Sequence, residues 1–149
     1  PRVPIFSPLM LRADRMTINL IAIHCSDSPH GRGDNAETIH KWHLEKGWSG
    51  IGYHYVIDEF GNLERGRPHY WTGAHVKNHN RNSLGICLIG KNEFTPEQFN
   101  MLAELLRELT SKYPNAKIKG HYQLDTQGKT CPNFDVPEYL RSRGFGERI

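Results

Sequence analysis

Nine histidines and three cysteines are spread over 149 residues, and a few of them stand where a reactive site would form. His24 closes the apolar run Leu20-Ile21-Ala22-Ile23. His121 closes a shorter one, and Cys131 follows ten residues later in Gly128-Lys129-Thr130-Cys131-Pro132. In open α/β sheets the carboxyl ends of the strands are where ligands bind. Two imidazoles and one thiolate are borderline-soft donors that suit Zn²⁺. Three protein ligands leave a fourth position for water, the arrangement of a catalytic rather than a structural site. No HExxH or CxxC spacing supports the set. On spacing alone, His24 as a core histidine and Cys131 as an inert thiol before a turn proline remain an open alternative.

The elements that must bring these residues together are legible along the chain. Asn19 to Ser26 is short, rich in Ile and closed by Asp27-Ser28-Pro29, which predicts a buried central strand. Asp34, three residues before Glu37, resembles a capping box. It opens a helix with Ile39, Trp42 and the Lys46 stem at helical spacing, and Gly47 stops it. Gly52 to Asp58 and Leu63 to Arg65, joined by Phe60-Gly61-Asn62, read as two further strands. Residues 66–82 have no period, and a loop of that length in a compact domain is usually functional. Ser83 to Ile89 is a fourth strand. Thr95-Pro96-Glu97-Gln98 starts a helix with a cap residue, Pro at the first position and Gln at the third. Phe99, Leu102, Leu105, Leu106 and Leu109 give it a core-facing stripe, and Pro114 ends it. Lys117 to His121 is a fifth strand, 122–134 a loop and Asp135 to Arg143 a final helix. The order β-α-β-β-β-α-β-α predicts an α/β fold with a single mixed central β-sheet flanked by helices.

Composition narrows the function classes. The length suits one domain, and 37% hydrophobic with 23% charged residues excludes wholesale disorder. No apolar run approaches the ~20 residues that cross a bilayer, so no stable membrane insertion is expected. An odd cysteine count argues against a disulfide scaffold. Three unpaired thiols are expected, with Cys25 and Cys87 in the core and Cys25 pointing opposite to His24. A net charge of +3 is too small to argue for nucleic acid. Residues 1–15, with three Pro and three Arg and no period, read as an N-terminal arm or added tail ahead of a catalytic domain over 16–149. His54 reads as structural, and His30, His40, His43, His69 and His79 as surface or loop residues. Trp48 either lines a groove or staples helix to sheet. Arg141, Arg143 and Arg148 read as a solvated basic tail.

Four strings taken in order carry a resemblance: His24-Cys25-Ser26 after an apolar strand; Gly47-Trp48 followed by Gly52-Tyr53-His54-Tyr55; His75 with Asn82-Ser83-Leu84-Gly85-Ile86; and His121 with Lys129-Thr130-Cys131-Pro132-Asn133-Phe134-Asp135. Over residues 18–141 the chain resembles the zinc-dependent N-acetylmuramoyl-L-alanine amidases of the bacteriophage T7 lysozyme type, whose fold peptidoglycan recognition proteins share. The resemblance implies His24, His121 and Cys131 as Zn²⁺ ligands. It implies Tyr53 beside the attacking water, Lys129 as the catalytic lysine and His75 as a residue lining the substrate groove. The His121–Cys131 loop is about two residues longer than in the T7-type enzyme, and the arm before Met16 has no counterpart there.

The function so implied is cleavage of the amide between N-acetylmuramic acid and L-alanine in bacterial peptidoglycan, by a monomeric phage endolysin. The alternative is a non-catalytic peptidoglycan-binding module of the recognition-protein type. Against it stands the retention of Cys131 with both His, Tyr53 and Lys129. T7-type relatives also bind the phage RNA polymerase, a contact that no pattern in one sequence tests. The start of the chain lacks the layout of a signal peptide. The expectation is therefore synthesis in the host cytoplasm and action on the wall after a separate protein has permeabilised the membrane.

Overall fold

The computed structural model describes residues 18–149. The expected arm over 1–15 lies outside them. Five strands form one sheet: β1 (Leu20–Cys25), β2 (Tyr55–Ile57), β3 (Leu63–Arg65), β4 (Ser83–Leu88) and β5 (Lys117–Gly120). Their order is β3-β2-β4-β1-β5. β1 pairs in parallel with β4 and with β5, β2 pairs in parallel with β4, and only β2–β3 is antiparallel. This is the mixed sheet expected from the element order. β1 sits inside it, which explains why Ile21, Ala22 and Ile23 are fully buried and read as an unbroken apolar run.

Side chains alternate across a strand, and the two faces of the sheet bury different partners. Ile21 and Ile23 of β1, Leu84, Ile86 and Leu88 of β4, and Tyr55 and Ile57 of β2 pack in the larger core. That core is closed by helix α2 (Pro96–Lys112) through Leu102, Leu105, Leu106 and Leu109, and by helix α4 (Val136–Ser142) through Val136, Tyr139 and Leu140. Val56, Cys87, Ile51 and Ile89 pack on the opposite side with Ile39 of helix α1 (Ala36–Glu45). Cys87 is therefore the core residue expected of it. His24 lies one step from Ile23, so it falls on the α1 side, abreast of Cys87 in the ladder.

The caps show why the helices begin where they do. In α2 the Thr95 hydroxyl accepts from the Gln98 N–H at 3.1 Å, and Gln98 Oε1 accepts from the Thr95 N–H at 3.0 Å. The fully buried Gln98 amide also donates to the Ile89 and Ile57 carbonyls, so the same residue that caps the helix ties it to the sheet. α1 departs from expectation by one residue. Asn35, not Asp34, is the cap, and its reciprocal partner is Thr38. Asp34 instead holds Arg32 at 2.6 Å. Gly47 follows the last turn with φ +85°, a conformation that glycine adopts without strain. The fifth strand also ends one residue early. Residues His121–Leu124 form a short helix, α3, that the sequence pattern did not reveal. A last 3₁₀ turn spans Gly146–Arg148.

Of the expected solvated basic tail, Arg141 does stay exposed, beside Glu138 of its own helix, while the other two arginines reach back to the body of the protein. Arg148 donates to the Pro114 and Ala116 carbonyls, and Arg143 to Asn100 Oδ1. Among the described residues no helix is long and apolar enough to cross a membrane. Leu106 is fully buried between α2 and the sheet. Leu106→Ala should lower the unfolding free energy by about 2–5 kcal/mol through lost burial and a residual cavity, measured by denaturant unfolding.

Candidate metal centre

β1 and β5 run side by side in parallel, with Ile23 opposite Gly120. One residue further stand His24, still in β1 and level with Cys87 of β4, and His121, the first residue of α3, and their Nδ1 atoms are 3.2 Å apart. The loop that follows α3 returns to the same place, because the Tyr122 N–H donates to the Cys131 carbonyl at 2.9 Å. It lays the Cys131 thiol against the end of β1, where Sγ accepts the Cys25 N–H at 2.9 Å. The ligand atoms of His24, His121 and Cys131 all lie within 4.8 Å of one another.

The donor set and its spacing fit a tetrahedral cation. Zn–N bonds of about 2.0–2.1 Å at a tetrahedral angle place two nitrogens roughly 3.3 Å apart, close to the 3.2 Å between the two Nδ1 atoms. Burial, followed by the neighbouring imidazoles of His75 and His121, holds His24 well below the ordinary histidine range. His121 is lowered too, by burial first, with the Asp125 charge opposing and the Lys129 charge assisting. Both rings are thus neutral at pH 7, the form that ligates a metal. The Cys131 thiol is pushed up by the adjacent Cys25 thiol and then by burial, an effect that a bound cation reverses.

Tyr53 lies beside this cluster, its ring 5.1 Å from that of His24. Burial and then the thiols of Cys87, Cys131 and Cys25 raise its hydroxyl well above the usual value, so it keeps its proton and remains a donor. Lys129 is exposed. Its backbone N–H, with that of Gln127, donates to Asp125 Oδ2 at 3.0 and 2.7 Å. Asp125 thus shapes the turn that carries Lys129, a role that spacing gave no sign of. Two clefts lie near the cluster, lined by its neighbours rather than by the three residues themselves. One of about 560 Å³ is lined by Tyr122, Lys129, Thr130, Asn133, Phe134 and Asp135. The other, of about 270 Å³, is lined by Ser26, Ile39, Trp42, His43, Lys46 and Tyr53.

Several expectations need adjustment. Cys25 is buried as expected, but its thiol adjoins that of Cys131 rather than lying remote from the centre. His75 is half-buried. Its Nδ1 lies 2.8 Å from His24 Nε2, and its Nε2 lies 3.1 Å from Ser83 Oγ, so both ring nitrogens are engaged inside the protein. His43, expected at the surface, is buried and accepts the Gly52 N–H at 2.8 Å. His40 accepts the Ile51 N–H, His30 binds the Ile89 carbonyl, and His69 bridges the Tyr55 and Tyr113 hydroxyls. Trp48 packs its ring on His43 at 4.4 Å and is 38% exposed. His54 is structural as expected. Gly85 N–H donates to its Nδ1 at 3.0 Å, and its Nε2–H donates to the Trp71 carbonyl at 2.9 Å.

Comparison with known proteins agrees with this geometry. The family model described as N-acetylmuramoyl-L-alanine amidase matches residues 14–134. The endolysin of Enterobacteria phage T3 is 35% identical over 133 residues, covering 84% of this chain and 87% of that protein. The endolysin of Escherichia phage T7 matches at the same identity and coverage. Among solved structures, the endolysin N-acetylmuramoyl-L-alanine amidase LysCS from Clostridium intestinale is 32% identical. It superposes with a TM-score of 0.78 over 88% of this chain and 86% of its own.

The His54 geometry predicts an acid-sensitive fold. Burial lowers its pKa from the usual 6.5 to about 4. Between those values the unfolded chain takes up a proton that the folded chain refuses. The stability contributed is therefore complete above pH 6.5 and is lost as pH falls towards about 4. It should amount to about 3 kcal/mol. In denaturant titrations across that range, His54→Gln should show a shallower fall of unfolding free energy with acid than the wild type. An identical slope would refute the assignment.

Proposed function

The chain belongs to the N-acetylmuramoyl-L-alanine amidase family, and from that membership we propose a zinc-dependent mechanism for its hydrolysis of the amide joining N-acetylmuramic acid to L-alanine in bacterial peptidoglycan. It is an enzyme of the phage endolysin type. The observation that carries the mechanism is the convergence of two neutral imidazole nitrogens and one thiol at the carboxyl end of the central strands. In this reading His24, His121 and Cys131 hold Zn²⁺. When bound, the cation supplies Lewis-acid polarisation and lowers the pKa of the attacking water to ~7.

The remaining work falls to side chains around the cluster. The Tyr53 hydroxyl, protonated and fixed beside His24, donates to the attacking water or to the carbonyl oxygen as charge develops on it. The Lys129 ammonium, on a loop tethered by Asp125, faces that oxyanion from the larger cleft. Donors aimed at developing charge stabilise the transition state more than the bound substrate. The sugar-peptide polymer lies along the two clefts near the cluster. His75 contributes to the wall of the site through its ring rather than through a nitrogen. Such an enzyme is made in the host cytoplasm and reaches the wall after the membrane has been breached.

Digestion of purified peptidoglycan should release new L-alanine amino termini and no new reducing sugars. Reducing ends would indicate a glycosidase, and binding without cleavage would favour a non-catalytic recognition module. Elemental analysis should find about one zinc per chain. Strong chelator should remove activity, zinc should restore it, and Cys131→Ser should weaken metal retention sharply.

Lys129→Ala and Tyr53→Phe should keep zinc and the fold while lowering kcat about 10²–10³-fold, with a smaller change in KM. Wild-type turnover by zinc-loaded Lys129→Ala would remove the lysine from the mechanism.

A further inference from the structure

A chain of hydrogen bonds runs from the backbone to the first histidine of the cluster. Ser83 Oγ lies 2.6 Å from the His79 carbonyl and 3.1 Å from that of Asn80. Carbonyls only accept, so the single hydroxyl proton is committed to them. Towards His75 Nε2, 3.1 Å away, the hydroxyl can offer only a lone pair, and His75 must donate from Nε2–H. A neutral imidazole carries one N–H, which makes His75 Nδ1 an acceptor. Its partner at 2.8 Å is His24 Nε2, which must therefore carry the hydrogen. The lone pair of His24 is left on Nδ1, the atom that faces His121 Nδ1.

The ring that transmits this order is held without freedom to turn. A Cβ on Gly73 would fall 2.5 Å from the His75 ring, and one on Gly85 would fall 2.6 Å from it. The ring thus occupies a slot that exists because both positions are glycine. The backbone on either side is fixed as well, since the His75 and Val76 N–H groups both donate to Asn80 Oδ1, at 2.7 and 2.8 Å.

We propose that Ser83 and His75 are positioning residues that set the tautomer and orientation of His24, so that its Nδ1 lone pair is presented to the metal before the metal arrives. The relay deepens the reading of His24, His121 and Cys131 as a zinc centre, and its role in binding rests on that reading. Partners of this kind behind a ligating imidazole typically contribute 10–100-fold to metal affinity.

The test has two arms. Nitrogen-15 NMR of the histidine rings in the metal-free protein should find the Nε2–H tautomer for both His24 and His75. An Nδ1–H tautomer for His24 would overturn the relay whatever the metal does. Zinc affinity, measured by competition with a chromophoric chelator, should fall about 10–100-fold in His75→Leu and less in Ser83→Ala. It should be largely restored in His75→Asn, whose amide oxygen can accept near the place of Nδ1. Wild-type affinity in His75→Leu would refute the positioning role. Circular dichroism checks the fold of each variant. If His75→Leu does not fold, Ser83→Ala and the wild-type tautomers decide. Failure of the wild-type chain to take up zinc would overturn the metal centre itself, a result distinct from uptake that ignores His75.

Discussion

Two uncharged imidazole nitrogens 3.2 Å apart at the end of a sheet are an arrangement that nothing local would produce. Each belongs to a strand terminus, and each is stripped of much of its water. What holds them is the parallel alignment of β1 and β5. A shift of one residue in that register would turn His121 to the other face of the sheet and dissolve the pair. The register is in turn secured by packing. β1 is gripped on its other edge by six ladder partners in β4, and the apolar face of that ladder is covered by α2. The large core has no direct part in chemistry, but it keeps the two strand ends level.

Around this pair the protein relies on neutral histidine as a structural hydrogen-bonding group. His40 and His43 accept the N–H groups of Ile51 and Gly52, which lie outside the strands, and His54 accepts that of Gly85 in β4, level with the point just before β2 begins. The stretch from Ile51 to His54 connects α1 to the sheet with little regular pairing, and Tyr53 sits in the middle of it. Three buried or half-buried rings thereby stand in for a missing ladder. A backbone N–H left without a partner in the interior costs about 1–3 kcal/mol, so these rings carry weight in fixing Tyr53 against His24. The site and its scaffold share one chemical vocabulary, with the clustered imidazoles of His24 and His121 beside imidazoles that bind backbone.

That sharing explains what could be read from the chain and what could not. The strands, the α2 cap and the leucine stripe announce themselves through periodicity and turn chemistry, because each depends on neighbours close in sequence. His24, His121 and Cys131 were legible as strand-end or loop donors once the four ordered strings were recognised. The roles of His43 and His69 were not, because their partners lie at tertiary contacts that no local pattern encodes. Cys25 illustrates the point. Strand alternation correctly buries it, yet gives no warning that the Cys131 loop returns across the end of β1. Asp34 and Asn35 show the smaller failure, in which two adjacent residues can both cap and only the backbone angle at Asn35 decides.

The long-range origin of the cluster has a consequence for when it can assemble. His24 and His121 are separated by 97 positions, and Cys131 comes later still. At a synthesis rate of about 5–20 residues per second, roughly 5–20 s pass between the appearance of the first imidazole and the second. Over that interval a nascent chain contains β1 with neither β5 beside it nor His121 across from His24. The cluster is therefore a late product of synthesis relative to β1: its three side chains cannot meet in any fragment that stops before Cys131.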